Sequence, residues 1–383
     1  MNIGYDAKRI FQNRSGLGNY SRTLINILSR YHPIHTYTLF AARPSGLFDL
    51  NNLPNVKLVS PQGFLGKNLP ALWRRRLMTR DISFSGVPIF HGLSNELPAG
   101  IEKIRVKKIV TVHDIIYERY PETYHFDERL VNRKKISTAC RIADRVIAIS
   151  KQTRTDLIEL YKIPEEKISI CYQCCNPVFQ RDPGAENVEL VRKKYGLPGR
   201  YFLFNSSITS RKNLITVCKA LVALKDTLEI PLVVIGDGKK EKQEAKRFMQ
   251  ENGMSGQLIL LNELPGIKEQ GSLSIVDFPI IYRLATALIY PSLYEGFGLP
   301  VLEALWTGLP VICSDTSSLP EVAGDAALYF SPLNVEALAG HMQNIAENKG
   351  VADEMRAKGF ARARLFEPET CAGNMMKIYE DIL

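Results

Sequence analysis

The sequence has no long apolar runs: nowhere in its 383 residues does an uninterrupted stretch approach the roughly 20 residues that a membrane-spanning helix needs. It has no charged leader ahead of an apolar stretch either. Met1-Asn2-Ile3-Gly4-Tyr5-Asp6 does not read as a signal peptide, so a cytoplasmic location is expected. Beside Cys171-x-x-Cys174-Cys175 there is no second Cys/His pair with the spacing of a four-ligand zinc site. The 7 cysteines are therefore expected to be small, half-buried residues kept reduced, and no metal site is expected. Extremes of composition are missing as well. At 45% hydrophobic and 23% charged, the chain is neither disordered nor fibrous, and its length suits two domains with separate cores.

What stands out is a formal net charge of +9, which is unevenly placed. Residues 1–180 hold 27 Lys+Arg and 15 Asp+Glu, a net of +12; the remainder holds 22 and 25, a net of −3. A uniformly basic protein does not divide this way. A surplus confined to one half suggests an anionic partner for that half.

Short β-branched runs alternate with longer amphipathic stretches. Ile109-Val110-Thr111-Val112, Val146-Ile147-Ala148-Ile149, Pro231-Leu232-Val233-Val234-Ile235, Ala287-Leu288-Ile289-Tyr290 and Val311-Ile312-Cys313 read as buried parallel strands. Helical patterns such as Tyr20 to Ser29 and Thr153 to Leu160 lie between them. The alternation means βαβ units with right-handed crossovers. It lapses into Pro/Gly punctuation around Asn176 to Arg200 and restarts at Tyr201-Phe202-Leu203-Phe204. The expected division is 1–180 and 181–365, two Rossmann-like doubly wound domains that face a cleft across their strands' carboxyl ends.

The most informative segment runs from Tyr290 to Ala304. A strand ends at Pro291, a loop carries Glu295, Gly296, Phe297 and Gly298, and Leu299-Pro300 opens a helix that contains Glu303. The free N–H groups of such a helix start suit a diphosphate. A carboxylate on either side, Glu295 in the loop and Glu303 in the helix, can each accept from adjacent hydroxyls, one from a ribose and one from a hexose. Arg211 and Lys212, following the strand that opens the second half, place two cations at the same edge, where they can neutralise a departing diphosphate.

The Glu295-x7-Glu303 run with Gly296, Gly298 and Pro300 resembles the donor-site signature of glycosyltransferase family four, whose members are retaining enzymes of the GT-B fold. Among them, the chain looks like the bacterial mannosyl- and hexosyltransferases of surface-polysaccharide assembly. Further matches span nearly the whole chain: Ser15-Gly16-Leu17-Gly18-Asn19-Tyr20, Thr111-Val112-His113-Asp114, Ala148-Ile149-Ser150, Arg211-Lys212-Asn213, Gly236-Asp237-Gly238 and Pro320-Glu321-Val322. Two positions depart from the common pattern: Ser15-Gly16 stands where many members have Gly-Gly, and Cys175-Asn176-Pro177-Val178-Phe179 replaces a frequent Asn-Gly-Val-Asp strand end.

The resemblance implies a role for each matched residue. Glu303 would hold the ribose and Glu295 the hydroxyls of the transferred sugar, with Arg211 and Lys212 on the diphosphate. Backbone around Gly296, Phe297, Gly298 and Leu299 would contact sugar and phosphate, and Gly236 would line the nucleotide pocket. Gly16 and Gly18 would lie in a loop that closes over the phosphates, and His113 would sit near sugar and acceptor. The segment 366–383 would cross back onto the first domain. The resemblance also implies transfer without a metal and without a cofactor other than the co-substrate itself, a nucleotide diphosphate sugar such as GDP- or UDP-hexose. No convincing Asp-x-Asp is present, in agreement.

Residues 64–80 carry five cations and no acid, with Leu69, Trp73 and Leu77 at helical spacing. This reads either as a basic amphipathic helix with Trp73 on an apolar face turned to an anionic membrane, or as an ordinary helix facing the sheet. The first makes the protein peripheral to a membrane and its acceptor a glycan or lipid-linked glycan. Basic residues interleaved with aromatics in a recognised nucleic-acid module are not found, so no nucleic-acid partner is expected. A GT-B epimerase or hydrolase acting on nucleotide sugars without an acceptor is the alternative enzyme. A basic nucleic-acid- or membrane-binding protein is the alternative outside enzymes.

Overall fold

The computed structural model describes residues 1–61, 68–267 and 273–383. The chain divides into two compact units, Met1–Asn176 with Phe366–Leu383, and Pro177–Leu365. The first division thus falls after residue 176 rather than 180. Its cause is local: Pro177–Gln180 forms a 3-10 turn whose buried Phe179 packs edge-on against Tyr282 of the second unit, ring centroids 5.5 Å apart.

The first unit is built on seven parallel strands, β1 (Asn2–Asp6), β2 (Thr36–Phe40), β3 (Val56–Val59), β4 (Ile89–Gly92), β5 (Lys107–Val112), β6 (Arg145–Ala148) and β7 (Ile168–Ile170), in the order β3-β2-β1-β4-β5-β6-β7. The second holds six, β8 (Phe202–Asn205), β9 (Leu232–Ile235), β10 (Leu258–Leu260), β11 (Ala287–Tyr290), β12 (Val311–Ser314) and β13 (Ala327–Phe330), in the order β10-β9-β8-β11-β12-β13. Central strands are apolar throughout because helices cover both faces of a parallel sheet. In each sheet the chain first works outward from one strand and then resumes on that strand's other side. The switch points lie between β1 and β4 and between β8 and β11, where open α/β sheets hold ligands.

The C-terminal helix Pro368–Asp381 belongs to the first unit and lies on the helix Gly16–Tyr31, burying Cys371, Met375, Met376 and Tyr379. A buried polar chain ties it to the sheet. Tyr5 OH donates to Tyr379 OH (3.2 Å), Tyr379 OH meets His91 Nδ1 (2.8 Å), His91 Nε2 meets Thr111 Oγ1 (2.7 Å), and Thr111 Oγ1 lies 3.2 Å from Tyr20 OH. Each buried polar group therefore has a partner, which a close-packed interior requires. All seven cysteines are buried free thiols.

One local expectation needs correction, and one open alternative is decided. Gly16 and Gly18 are not a loop; they open the helix Gly16–Tyr31. Asn13 Oδ1 accepts from the backbone N–H groups of Ser15 (2.8 Å) and Gly18 (3.2 Å), and a Cβ on Gly18 would come within 1.9 Å of the Asn13 carbonyl oxygen. Of the basic segment 64–80, residues 64–67 lie outside the described residues. In the rest, Trp73 does not face outward. It is 2% exposed in the core with Phe40, Met78, Ile82 and Phe90, and its Nε1–H donates to Asp81 (2.6 Å). The backbone widens to a π turn over Trp73–Leu77, between Pro70–Leu72 and Met78–Ser85.

Candidate functional site

The second domain's switch point gathers most of the residues singled out from the sequence. After β8 the chain makes the 3-10 turn Ser210–Lys212, closed by Asn213 at φ 58. Asn213 Nδ2 donates to the carbonyls of Pro291 (3.2 Å) and Pro332 (2.7 Å), and the Leu293 N–H donates to the Arg211 carbonyl (2.9 Å). These bonds fasten the turn after β8 to the loop after β11. Arg211 and Lys212 are thereby set beside Glu295.

Three charges meet there away from water. Lys212 Nζ donates to Glu295 Oε1 and to Tyr290 OH (3.0 Å), and stands over the Tyr290 ring at 5.2 Å. Arg211 Nη1 lies 3.3 Å from the same carboxylate oxygen and also bonds the Tyr294 carbonyl. Lys212 and Glu295 are 8% and 7% exposed. Burial acts most strongly on Glu295 and pushes its carboxyl up. Lys212 and Arg211 together outweigh it and hold the group down at about 2. Glu295 is thus ionised at every physiological pH. The two cations engage a carboxylate, where the sequence suggested only a phosphate role for them.

The loop itself is strapped from β12. Ser317 Oγ accepts from the Glu295 N–H (2.9 Å), and the Ser318 hydroxyl lies 3.0 and 2.9 Å from the carbonyls of Glu295 and Phe297. Gly296, Phe297 and Gly298 are buried, and Leu299 and Pro300 begin the helix Leu299–Thr307. Gly298 sits at φ 107, a conformation costly for any side chain, and a Cβ there would meet Leu319 Cδ2 at 2.8 Å. Its geometry leaves the first N–H groups of the helix without a side-chain cap.

Glu303 lies on that helix, half-buried, and accepts from Tyr282 OH (2.9 Å), which in turn accepts from Asn205 Nδ2 (2.6 Å). Burial raises the Glu303 carboxyl to about 7, against the opposing pull of the Tyr282 hydrogen bond. Among the described residues no cation offsets it, unlike Glu295. The two carboxylates of the motif therefore have opposite electrostatics: one permanently charged, one poised to titrate near neutrality. Gly236, at φ 144 after β9, completes this edge; a Cβ would come within 1.8 Å of the Ser206 carbonyl oxygen. Ser317, Ser318 and Tyr282, and the roles of Asn213 and Tyr290, were not apparent from the sequence. The run Thr316-Ser317-Ser318 directly after a strand was the available signal for the two serines.

His113, Gly16 and Gly18 lie in the first domain. His113 follows β5; its Nε2 donates to the Leu93 carbonyl (2.8 Å), its backbone N–H donates to Asn95 Oδ1 (2.9 Å), and its ring meets Tyr20 edge-on at 4.6 Å. Burial lowers it to about 4, so at neutral pH it is an uncharged donor already committed to backbone. Ser150, at the end of β6, caps the helix Lys151–Tyr161 by accepting from the Thr153 N–H (3.0 Å).

Each of the two doubly wound sheets has a switch point, and that of the second domain holds a buried cation–carboxylate centre beside a helix start with no side-chain cap. Residues 188–362 match the family described as Glycosyl transferases group 1, and residues 14–178 match Glycosyltransferase Family 4. The chain belongs to these glycosyltransferases and has their GT-B fold. It is 27% identical to the O-antigen chain mannosyltransferase B of Escherichia coli over 96% of each chain. A glycosyltransferase of Rickettsia africae superposes with a TM-score of 0.74 at 19% identity, over 100% of this chain and 98% of the other. HepE of Anabaena, in complex with UDP and glucose, superposes with a TM-score of 0.73 at 15% identity, over 99% of each. Among the described residues no helix is long and apolar enough to cross a membrane.

Proposed function

We propose that this glycosyltransferase moves a hexose, with mannose the first candidate, from a nucleotide diphosphate sugar to a glycan or lipid-linked glycan of a surface polysaccharide, with retention of anomeric configuration. One observation carries the reading: the Arg211–Lys212–Glu295 centre lies beside the helix start at Gly298, with Glu303 farther along that helix. Cations and helix N–H groups suit the diphosphate, Glu303 the ribose diol, and Glu295 the sugar hydroxyls. The mannosyl assignment draws on the E. coli relative, and the nucleotide sugar on the HepE complex with UDP and glucose.

In the proposed reaction the bond from the anomeric carbon to the diphosphate oxygen breaks. The acceptor oxygen bonds to the same face of that carbon, and its proton passes to the departing diphosphate oxygen. The protein contributes positioning and charge stabilisation, so the nucleotide sugar is the only small molecule the proposal needs. Proton NMR of the product from GDP-mannose or a UDP-hexose with an oligosaccharide acceptor tests this. Product with the donor's anomeric configuration is expected. Inverted product, or free hexose equal to donor consumed, would contradict it.

We propose in addition that the acceptor is presented at an anionic membrane surface, with the protein cytoplasmic and peripheral. Leu72, Leu77 and Phe84 are exposed beside Arg75, Arg76 and Arg80, and Phe126, Leu130 and Val131 beside Arg133, Lys134 and Lys135. The two stretches meet at Glu96, which pairs with Arg74 (2.5 Å) and Lys135 (3.7 Å). Exposed apolar side chains rimmed by cations suit the interface of an anionic bilayer. In vesicle sedimentation the protein is expected to pellet with phosphatidylglycerol-containing liposomes and not with neutral ones. Equal partitioning would remove the membrane while leaving the transferase in place.

A further inference from the structure

The first domain has a switch point of its own, between β1 and β4, and its carboxyl-terminal edge is crowded with charge. Asp6 ends β1 and Glu96 follows β4. Arg74 bridges the two, its Nη2 2.6 Å from Asp6 and 2.5 Å from Glu96, and Lys135 reaches the other Glu96 oxygen at 3.7 Å. Both carboxylates are thus already engaged by cations.

Two further cations follow Asp6 directly. The Lys8 N–H donates to Asp6 Oδ1 (3.1 Å) at the start of the short helix Lys8–Gln12, whose first two residues are Lys8 and Arg9. Neither forms an ion pair among the described residues, although four cations here face two carboxylates. Arg9 Nε is shielded from solvent and has no hydrogen-bond partner among the described residues. A guanidinium N–H held away from water without an acceptor is costly, and here it accompanies an unbalanced lysine at the edge where α/β sheets take ligands. A paired guanidinium and ammonium fit a phosphate, the first by its planar fork and the second as a point charge.

We propose that Lys8 and Arg9, held in place by the Asp6–Arg74–Glu96 bridge, form a phosphate-binding site in the first domain. The phosphate belongs either to the donor's diphosphate or to a phosphate carried by the acceptor. Only that choice of carrier rests on the transferase reading; phosphate binding itself does not.

Titration calorimetry of the full chain with inorganic diphosphate tests the site. In an R211Q/K212Q/E295Q background, which removes the second-domain cations together with the buried carboxylate they pair with, residual diphosphate binding is expected. Adding K8Q and R9Q together should weaken it by tenfold or more, and each alone by a smaller factor, because each substitution removes a charge-assisted contact to the phosphate. Unchanged affinity once K8Q and R9Q are added, or no residual binding in the R211Q/K212Q/E295Q background, would overturn the proposal. GDP and UDP then identify the carrier. Weaker nucleotide binding by K8Q/R9Q in the otherwise native chain assigns the site to the donor; unchanged nucleotide binding there, together with weakened inorganic diphosphate binding when K8Q and R9Q are added to the background without the second-domain cations, assigns it to the acceptor. If no nucleotide binds the native chain at all, the transferase reading fails while the diphosphate result still decides the site.

Discussion

Lys212→Ala is expected to lower the transfer rate by about 100- to 1000-fold, the usual loss when one preorganised donor to a developing charge is removed. Glu295→Ala should fall by a similar factor. The reason lies in how the site is held before substrate arrives. Lys212 is buried, fixed by Tyr290 and paired with a carboxylate that stays ionised because Lys212 and Arg211 outweigh its burial. The ammonium therefore needs little rearrangement when a diphosphate binds, and such preorganisation makes electrostatic stabilisation effective. The same pairing attaches a stability cost to the alanine variants. Removing one partner of a buried ion pair costs about 3–5 kcal/mol when the other charge is left alone. Arg211, 3.3 Å from the same oxygen, keeps Glu295 partly compensated in Lys212→Ala, so that variant should fall below this range and remain folded. Steady-state rates and melting temperatures on the same preparations separate the two effects. Near-wild-type turnover by either variant would contradict the assignment of the site.

Gly236→Ala is expected to be the most disruptive single methyl group at this site. A Cβ there would sit 1.8 Å from the Ser206 carbonyl oxygen, and the backbone lies at φ 144, so no rotamer relieves the overlap. Either β9's loop or the Ser206 segment after β8 must move, and each belongs to the switch-point edge. A loss of about 2–4 kcal/mol is expected, at the upper end of single substitutions. At about 2–4 °C per kcal/mol for a domain of this size, the melting temperature should drop by roughly 5–15 °C. Nucleotide affinity should fall with it. Gly16 makes the comparison, since a Cβ there meets nothing within 4 Å, and Gly16→Ala should leave stability nearly unchanged. Equal melting temperatures for Gly236→Ala and Gly16→Ala would contradict this packing argument.

How much of this was legible in the sequence depends on how local each feature is. The strands came through because buried parallel strands are apolar along their whole length, as in Ala287–Tyr290 and Leu232–Ile235. Glu295, Gly298 and Glu303 lie within nine residues of one another, so one strand–loop–helix unit fixes their relation. Ser317 and Ser318 brace that loop from across β12, and Tyr282 reaches Glu303 from another helix. Contacts made over twenty residues or more leave no periodic trace. Tyr290 read only as the end of a buried strand, yet its hydroxyl accepts from Lys212. Arg74 was read among surface arginines, but it bridges Asp6 and Glu96, over sixty residues apart to one side and over twenty to the other. The sequence left two readings of Trp73 open because a helical apolar stripe marks a face without saying what it meets, and here that residue packs against the sheet in the domain core.

The sequence's surplus charge is also placed more sharply. Arg211 and Lys212 are buried against Glu295 in the half with net charge −3, so the proposed donor site owes nothing to bulk charge. Within the +12 half, Arg74 is neutralised by Asp6 and Glu96, while Lys8 and Arg9 are not. The basic half is thus a small number of distinct sites, some structural and some open to a ligand.

The central claim is that the second domain's switch point binds a nucleotide diphosphate sugar, and a thermal-shift panel of GDP, UDP and their hexose conjugates tests it most directly. A ligand at about 100 times its dissociation constant adds roughly 2.7 kcal/mol, several degrees for a domain of this size. The pH gives a second criterion. Glu303 is held near 7, so below that it is largely protonated and loses one of the two charge-assisted bonds it offers a ribose diol. Affinity should therefore rise by up to about tenfold from pH 6 to pH 8, the ratio of ionised carboxyl for a group titrating at 7. Glu303→Gln should abolish that dependence. The account predicts that at least one nucleotide sugar stabilises the protein, more at pH 8 than at pH 6, and that Lys212→Ala weakens the shift. No stabilisation by any nucleotide or nucleotide sugar at either pH would contradict it.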